Sequence, residues 1–117
     1  MPTERRSSPP SPDVLEVSLP GYLILHGEVT DPEGYEEYKE KAQVLLAEHG
    51  ARYLARGGEA TPLEGEWLPR FVVVEFPSYE AALAFYHSPE YQEVAEIRKR
   101  FSNSAVAIVE GLPAPAP

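Results

Sequence analysis

Gly21-Tyr22-Leu23-Ile24-Leu25-His26-Gly27-Glu28-Val29, running straight into Thr30-Asp31-Pro32-Glu33, is the stretch that decides the fold. It reads as a strand handing over to a capped helix. In a strand, residues two apart point to the same side, so His26 and Glu28 share one face with Tyr22 and Ile24. The other face carries Leu23, Leu25 and Val29, an apolar surface for helices to cover. Polar groups on a mostly apolar strand need partners, because burying them unpaired is costly. The strand therefore points to a lined pocket or an assembly interface.

Downstream, Asp31 is placed to cap free backbone N–H groups, and Pro32 suits the first helical position. Glu33, Glu36 and Glu37 favour the positive end of the helix dipole. Tyr35, Tyr38, Ala42, Leu45 and Leu46 form a stripe at helical spacing, and Gly50 is a natural stop. Residues 51–56 alternate as a second strand, broken by Gly57-Gly58, a pair that permits positive φ at a bulge or hairpin. A loop with Pro62, Gly65 and Pro69 leads to Arg70-Phe71-Val72-Val73-Val74-Glu75-Phe76, a β-branched and aromatic run suited to the sheet centre. Ser78 caps a short helix through Tyr86, and Ser88-Pro89-Glu90 starts another, with Tyr91, Val94, Ile97 and Phe101 at helical spacing. Residues 105–110 form the last strand.

The order is β-α-β-β-α-β with a broken second helical segment. It predicts an α+β, ferredoxin-like sandwich, an antiparallel four-stranded sheet with helices on one face. The other face would expose an apolar patch, which two copies would cover by a twofold contact, forming a dimeric α+β barrel. The expected organisation is a flexible Pro/Ser-rich arm over 1–19, one ferredoxin-like domain over 20–111 and a Pro/Ala tail over 112–117. Val14, Leu15 and Val17 of the arm are candidates for an edge strand.

A chain of 117 residues suffices for one hydrophobic core. Its net charge of −9 argues against nucleic acid and against an anionic membrane surface as partners. Arg98, Lys99 and Arg100 read as a solvated helix end. The absence of cysteine excludes disulfides, thiolate metal sites and a Cys nucleophile. No apolar run approaches the roughly 20 residues that span a bilayer. Arg5 and Arg6 are followed by Ser-Ser-Pro-Pro-Ser-Pro rather than an apolar core, so no signal peptide is read and a cytoplasmic location is expected.

Gly21-Tyr22 through Val29-Thr30-Asp31-Pro32-Glu33 begins an ordered set of motifs. Arg56-Gly57-Gly58, Leu63-Glu64-Gly65, Val74-Glu75-Phe76-Pro77-Ser78, Ser88-Pro89-Glu90-Tyr91-Gln92 and Ile108-Val109-Glu110-Gly111 follow it. This set resembles the domain-of-unknown-function family numbered thirteen-thirty, within the dimeric α+β barrel superfamily. The resemblance implies a ferredoxin-like protomer and a homodimer. It implies no reaction, since the superfamily includes cofactor-free monooxygenases, haem-degrading enzymes, muconolactone isomerases and stress-responsive proteins.

Three residues are candidates for catalysis. A histidine side chain ordinarily titrates near neutrality, which makes His26 the candidate to move a proton. Arg56 offers a planar fork to a carboxylate or enolate. Glu75, an acid in an apolar strand, would orient one of them. Their structural alternative is an interior Arg56–Glu75 or His26–Glu75 ion pair. Tyr22, Glu28, Tyr38, Trp67 and Tyr86 are candidate ligand contacts. His26, Glu28 and Glu75 lack the spacing of a metal motif, so neither a metal nor a cofactor is expected. The expected function is binding or processing a small, partly apolar, anionic or carbonyl-bearing molecule in an interior pocket. The alternative is a non-catalytic dimeric stress-response or binding module with structural interior polar residues.

Overall fold

The computed structural model describes residues 19–113. The edge strand considered at Val14, Leu15 and Val17, nearly all of the N-terminal arm, and positions 114–117 of the tail lie outside the described residues. Strand β1 spans Gly21–Val29 and helix α1 Pro32–Glu48, followed by β2 (Arg52–Arg56) and β3 (Arg70–Phe76). Helices α2 (Tyr79–His87) and α3 (Pro89–Phe101) then lead into β4 (Ser102–Glu110).

The strands form one four-stranded sheet in the order β2-β3-β1-β4, every neighbouring pair antiparallel. That is the ferredoxin-like arrangement expected from the element order. β1 and β3 take the centre because they carry the densest apolar alternation. Leu23 and Leu25 of β1 are buried with Val72, Val74 and Phe76 of β3, and with Ala42, Leu46, Ala82, Phe85, Tyr91, Val94 and Ala95 from the helices.

The helix boundaries follow local chemistry. Asp31 accepts a hydrogen bond from Gly34 N–H at 3.3 Å and Pro32 opens α1, while Gly50 closes it with φ of 72°. Ser78 Oγ accepts from Ala81 N–H at 3.0 Å. Ser88 divides α2 from α3 by serving both: its hydroxyl donates to Phe85 C=O at 2.8 Å and accepts from Tyr91 N–H at 3.1 Å. One residue thus caps two helix ends and sets the kink between them.

Two elements differ from expectation. β4 begins at Ser102 rather than 105, because α3 passes into the strand without a loop and Ser102 and Asn103 pair with Val29 and Glu28. Strand β2 carries a register shift between Tyr53 and Ala55, which pair with the adjacent Val74 and Val73 and leave Leu54 as the extra residue. A bulge of this kind reverses the parity of everything beyond it. Arg52 therefore lies opposite Glu75 on the open face, while Arg56 lies opposite Val72 on the helix face.

Candidate functional site

On the open face of the sheet, Tyr22, Ile24, His26 and Glu28 stand beside Phe71, Val73 and Glu75 and beside Asn103, Ala105, Ala107 and Val109. His26 Nδ1 accepts a hydrogen bond from Leu68 N–H at 3.1 Å. Its ring meets the Trp67 ring edge-on at 5.3 Å and lies 6.1 Å from Phe71. Trp67 also donates through Nε1 to Glu64 C=O at 2.6 Å. His26 thus fastens the 57–69 loop to the sheet. Glu75 is paired with Arg52 Nε at 2.7 Å, not with Arg56 or His26. Glu28 is exposed, and Tyr22 and Glu75 border a wide surface groove of about 890 Å³ at the end of the sheet. That groove is open, and its one ion pair is already satisfied.

The helix face is different in kind. Between the sheet and α1 lies a small cavity of about 30 Å³, lined by Tyr35, Tyr38, Tyr53 and Tyr91 over an apolar floor of Leu23, Leu25, Val72, Val74 and Phe85. Its charged lining residues are Lys39, Arg56 and Arg70, with no carboxylate among them. Lys39 holds Glu36 at 2.8 Å, and Arg56 donates to Gln43 at 3.1 Å while its guanidinium lies 4.7 Å from the Tyr53 ring. Arg70 lies 5.7 Å from the Tyr35 ring, and its Nε is buried with no hydrogen-bond partner among the described residues. Gly57 makes room for this arginine: its φ is 68°, and a β-carbon there would collide with the Arg70 guanidinium.

Behind the cavity, Tyr38 and Tyr91 share a hydrogen bond of 2.7 Å between their hydroxyls. Arg98, only 3% exposed, donates through Nη1 to Ser104 Oγ at 2.6 Å, and its Nε is likewise buried without a partner among the described residues. Burial pushes the Tyr38 phenol well above its ordinary value, with the neighbouring Tyr91 adding to the rise. Burial also raises Tyr35 and Tyr53, against the lowering effect of Arg70 on the first and Arg56 on the second. Burial opposes the charge on Arg98, but Tyr91 and Tyr38 more than offset it and the arginine stays charged.

The structure therefore separates the three residues considered for catalysis. His26 and Glu75 share the open face, whereas the β2 bulge turns Arg56 to the helix face. Of the candidate ligand contacts, Tyr38 lines the helix-side cavity; Tyr22, Glu28 and Trp67 belong to the open side. Tyr86 packs its ring 5.6 Å from Tyr91, at the rim of the groove between α3 and β4. Arg98 is no solvated helix end, because Tyr91, Val94, Ala95 and Arg98 are the buried residues of α3. That i, i+3, i+4, i+7 spacing was available in the sequence, as was the parity of Arg70 with Val72 and Val74. Tyr35, Tyr53, Tyr91, Arg70 and Arg98 are thus the site-forming residues that the strand reading passed over.

Among the described residues no group of three His, Asp or Glu side chains converges as a metal would require, and no helix is long and apolar enough to cross a membrane.

The family model described as "Domain of unknown function (DUF1330)" matches residues 20–112. No curated protein matches the sequence. Among solved structures, a protein of unknown function from Rhodopseudomonas palustris is similar at a TM-score of 0.64 and 16% identity, over 85% of this chain and 86% of that one. A dimeric protein of unknown function with a ferredoxin-like fold from Bacteroides fragilis is similar at 0.51 and 15%, over 79% and 95% of the two chains. SnoaB, a cofactor-independent oxygenase from Streptomyces nogalater, is similar at 0.50 and 11%, over 85% and 97%. At these identities the likeness is one of fold.

Proposed function

The chain belongs to the DUF1330 family, and we propose that it holds a small, partly apolar molecule bearing a carboxylate or carbonyl oxygen in the helix-side cavity. The observation that carries this reading is Arg70, whose buried Nε is unpartnered among tyrosines with no carboxylate beside it. In a chain of net charge −9 an acidic neighbour would be easy to supply, and on this half-buried arginine a buried N–H left without an acceptor is costly. An anionic ligand head offsets that charge, the aromatic and aliphatic walls take its apolar body, and the tyrosine hydroxyls meet its oxygens. The cavity has room for about one water molecule, so any larger ligand requires its lining, including Lys39 and the exposed Arg56, to move apart.

On this reading the open face serves assembly. Ile24 and Val109 are large apolar side chains left exposed there, beside Phe71 and Val73. A second copy packed on that face would cover them, with His26 and Glu75 in structural rather than catalytic roles. The dimeric Bacteroides fragilis protein supports this arrangement by its fold.

The test is a thermal-shift screen of small carboxylic and keto acids, followed by titration of the hits against Arg70→Met. Binding should weaken at least tenfold in the variant. If no acid raises the melting temperature, or if Arg70→Met binds the hits as tightly as the parent, the cavity is not the site.

A further inference from the structure

A second arginine on the helix face lacks an acid, and it stands apart from the tyrosine cavity. Arg98 lines the groove between α3 and β4, which encloses about 430 Å³ and shares no lining residue with that cavity. The groove is built from Arg98 and Lys99, the hydroxyl residues Tyr86, Ser102 and Ser104, the amide residue Asn103 and one apolar residue, with no carboxylate. In a chain of net charge −9 this is a local reversal of sign. Arg98 is only 3% exposed and has no ion pair among the described residues. Its Nε is buried without an acceptor among them.

The groove adjoins the C-terminal end of α3, where free carbonyls would repel an anion. Two of those carbonyls are occupied. Ser102 Oγ donates to Arg98 C=O at 2.6 Å, and Phe101 C=O accepts from Thr30 N–H at 2.9 Å and from Asp31 N–H at 3.4 Å. Ser104 Oγ accepts from Arg98 Nη1 at 2.6 Å, which leaves its own O–H to donate. Across the sheet Ser104 faces Gly27, where a β-carbon would come within 3.0 Å of the serine Cβ. No cross-strand side chain therefore covers the hydroxyl. Lys99 meets Glu96 at 3.6 Å with both side chains about half exposed or more, a loose pair that solvent screens.

We propose that this groove binds the phosphate group of a small molecule, held by Arg98 and Ser104 with Lys99 at its edge. Arginine, lysine, hydroxyl and amide donors enter from α2, α3 and β4. A carboxylate has two oxygens, which one guanidinium fork can satisfy; a phosphate has more, and suits a donor set spread over three elements. Packing alone does not select arginine at position 98, since methionine would fill similar space without a buried donor. The negative end of the α3 dipole favours a cation in this turn, but the exposed Lys99 and Arg100 supply one without burial. The assignment is independent of the tyrosine cavity, and either site can fail without the other.

The experiment titrates the full chain with inorganic phosphate near neutral pH at constant ionic strength, by melting temperature and by calorimetry, with acetate and sodium chloride as controls. Phosphate should raise the melting temperature saturably, and acetate and chloride should not. Arg98→Met should weaken phosphate at least tenfold, Arg98→Lys less, and Ser104→Ala by about threefold to tenfold. Lys99→Ala should weaken it by about twofold to threefold. Arg52→Ala removes a positive charge from the open face and should leave the affinity within about twofold, which separates contact from net charge. Phosphate no more effective than chloride, or acetate as effective as phosphate, overturns the assignment. So does wild-type affinity in Arg98→Met and Ser104→Ala. If Arg98→Met does not fold, Ser104→Ala and Lys99→Ala decide, and unchanged affinity in both overturns it.

Discussion

The two faces of one sheet treat arginine in opposite ways. On the open face Arg52 reaches Glu75 across the β2–β3 pair at 2.7 Å, and both ends of the charge pair are accounted for. On the helix face Arg56, Arg70 and Arg98 have no carboxylate partner among the described residues, and two of them bury an unpartnered Nε. A partly exposed pair contributes little to stability in high dielectric. A buried N–H left without an acceptor costs about 1–3 kcal/mol. The contrast teaches where the molecule carries a local penalty, and such places are where binding sites are expected.

Five solution experiments can break or sharpen that contrast. The largest effect belongs to the apolar frame of the helix face. Phe85 is 1% exposed and stacks on Phe76 and Tyr91 with centroids 5.3 and 4.4 Å away, so Phe85→Ala should cost about 3–5 kcal/mol in urea unfolding. A loss under about 1 kcal/mol would mean the helix layer is loosely packed.

Alkali should act next. Burial raises Tyr35, Tyr38 and Tyr53 in the folded state above the ordinary phenol value of about 10, so they keep their protons where the unfolded chain has begun to lose them. Their contribution is complete below pH 10 and disappears as pH rises through the folded values. Urea midpoints measured from pH 9 to 11 should fall, and Tyr38→Phe should flatten the fall. A flat profile in the parent protein would show the tyrosines are not buried in solution.

Arg70→Met should do the reverse of most core substitutions. Without ligand it should stabilise the protein by about 1–3 kcal/mol, because it removes a buried Nε–H that has no acceptor among the described residues. A destabilised variant would show that Arg70 has a partner in solution, and the contrast between the faces would weaken. On the open face, His26→Ala should cost about 1 kcal/mol and shift Trp67 emission to the red as the loop loses its anchor at Leu68. The smallest effect is expected for Arg52→Ala, below about 1 kcal/mol, given an arginine side chain that is 72% exposed.

Much of the fold was legible because its cues are local. Asp31-Pro32, Ser78 and Ser88-Pro89 each announce a helix start, and each helix begins there. The alternation of Leu23 and Leu25 against Ile24 and His26 assigns the faces of β1 without reference to the rest of the chain. The site was less legible for two reasons. Parity carried from Glu75 or Arg52 along β2 fails at the bulge, which nothing in Arg52-Tyr53-Leu54-Ala55-Arg56 marks. Charge was also a poor guide: three consecutive basic residues look like a solvated end, yet the helical phase turns Arg98 inward and Lys99 and Arg100 outward.

By itself the sequence determined the order of elements, the two faces of the central strands, the helix caps and the ferredoxin-like class. All of these depend on residues a few positions apart, whose periodicity and capping chemistry act over one turn or one pleat. Tertiary structure alone decided which charges meet. Arg52 and Glu75 are 23 positions apart, Tyr38 and Tyr91 are 53 apart, and His26 and Leu68 are 42 apart. Those pairings depend on strand register, on one bulge and on how α1 and α3 lie over the sheet. No local rule places an arginine opposite a carboxylate or leaves it alone among tyrosines.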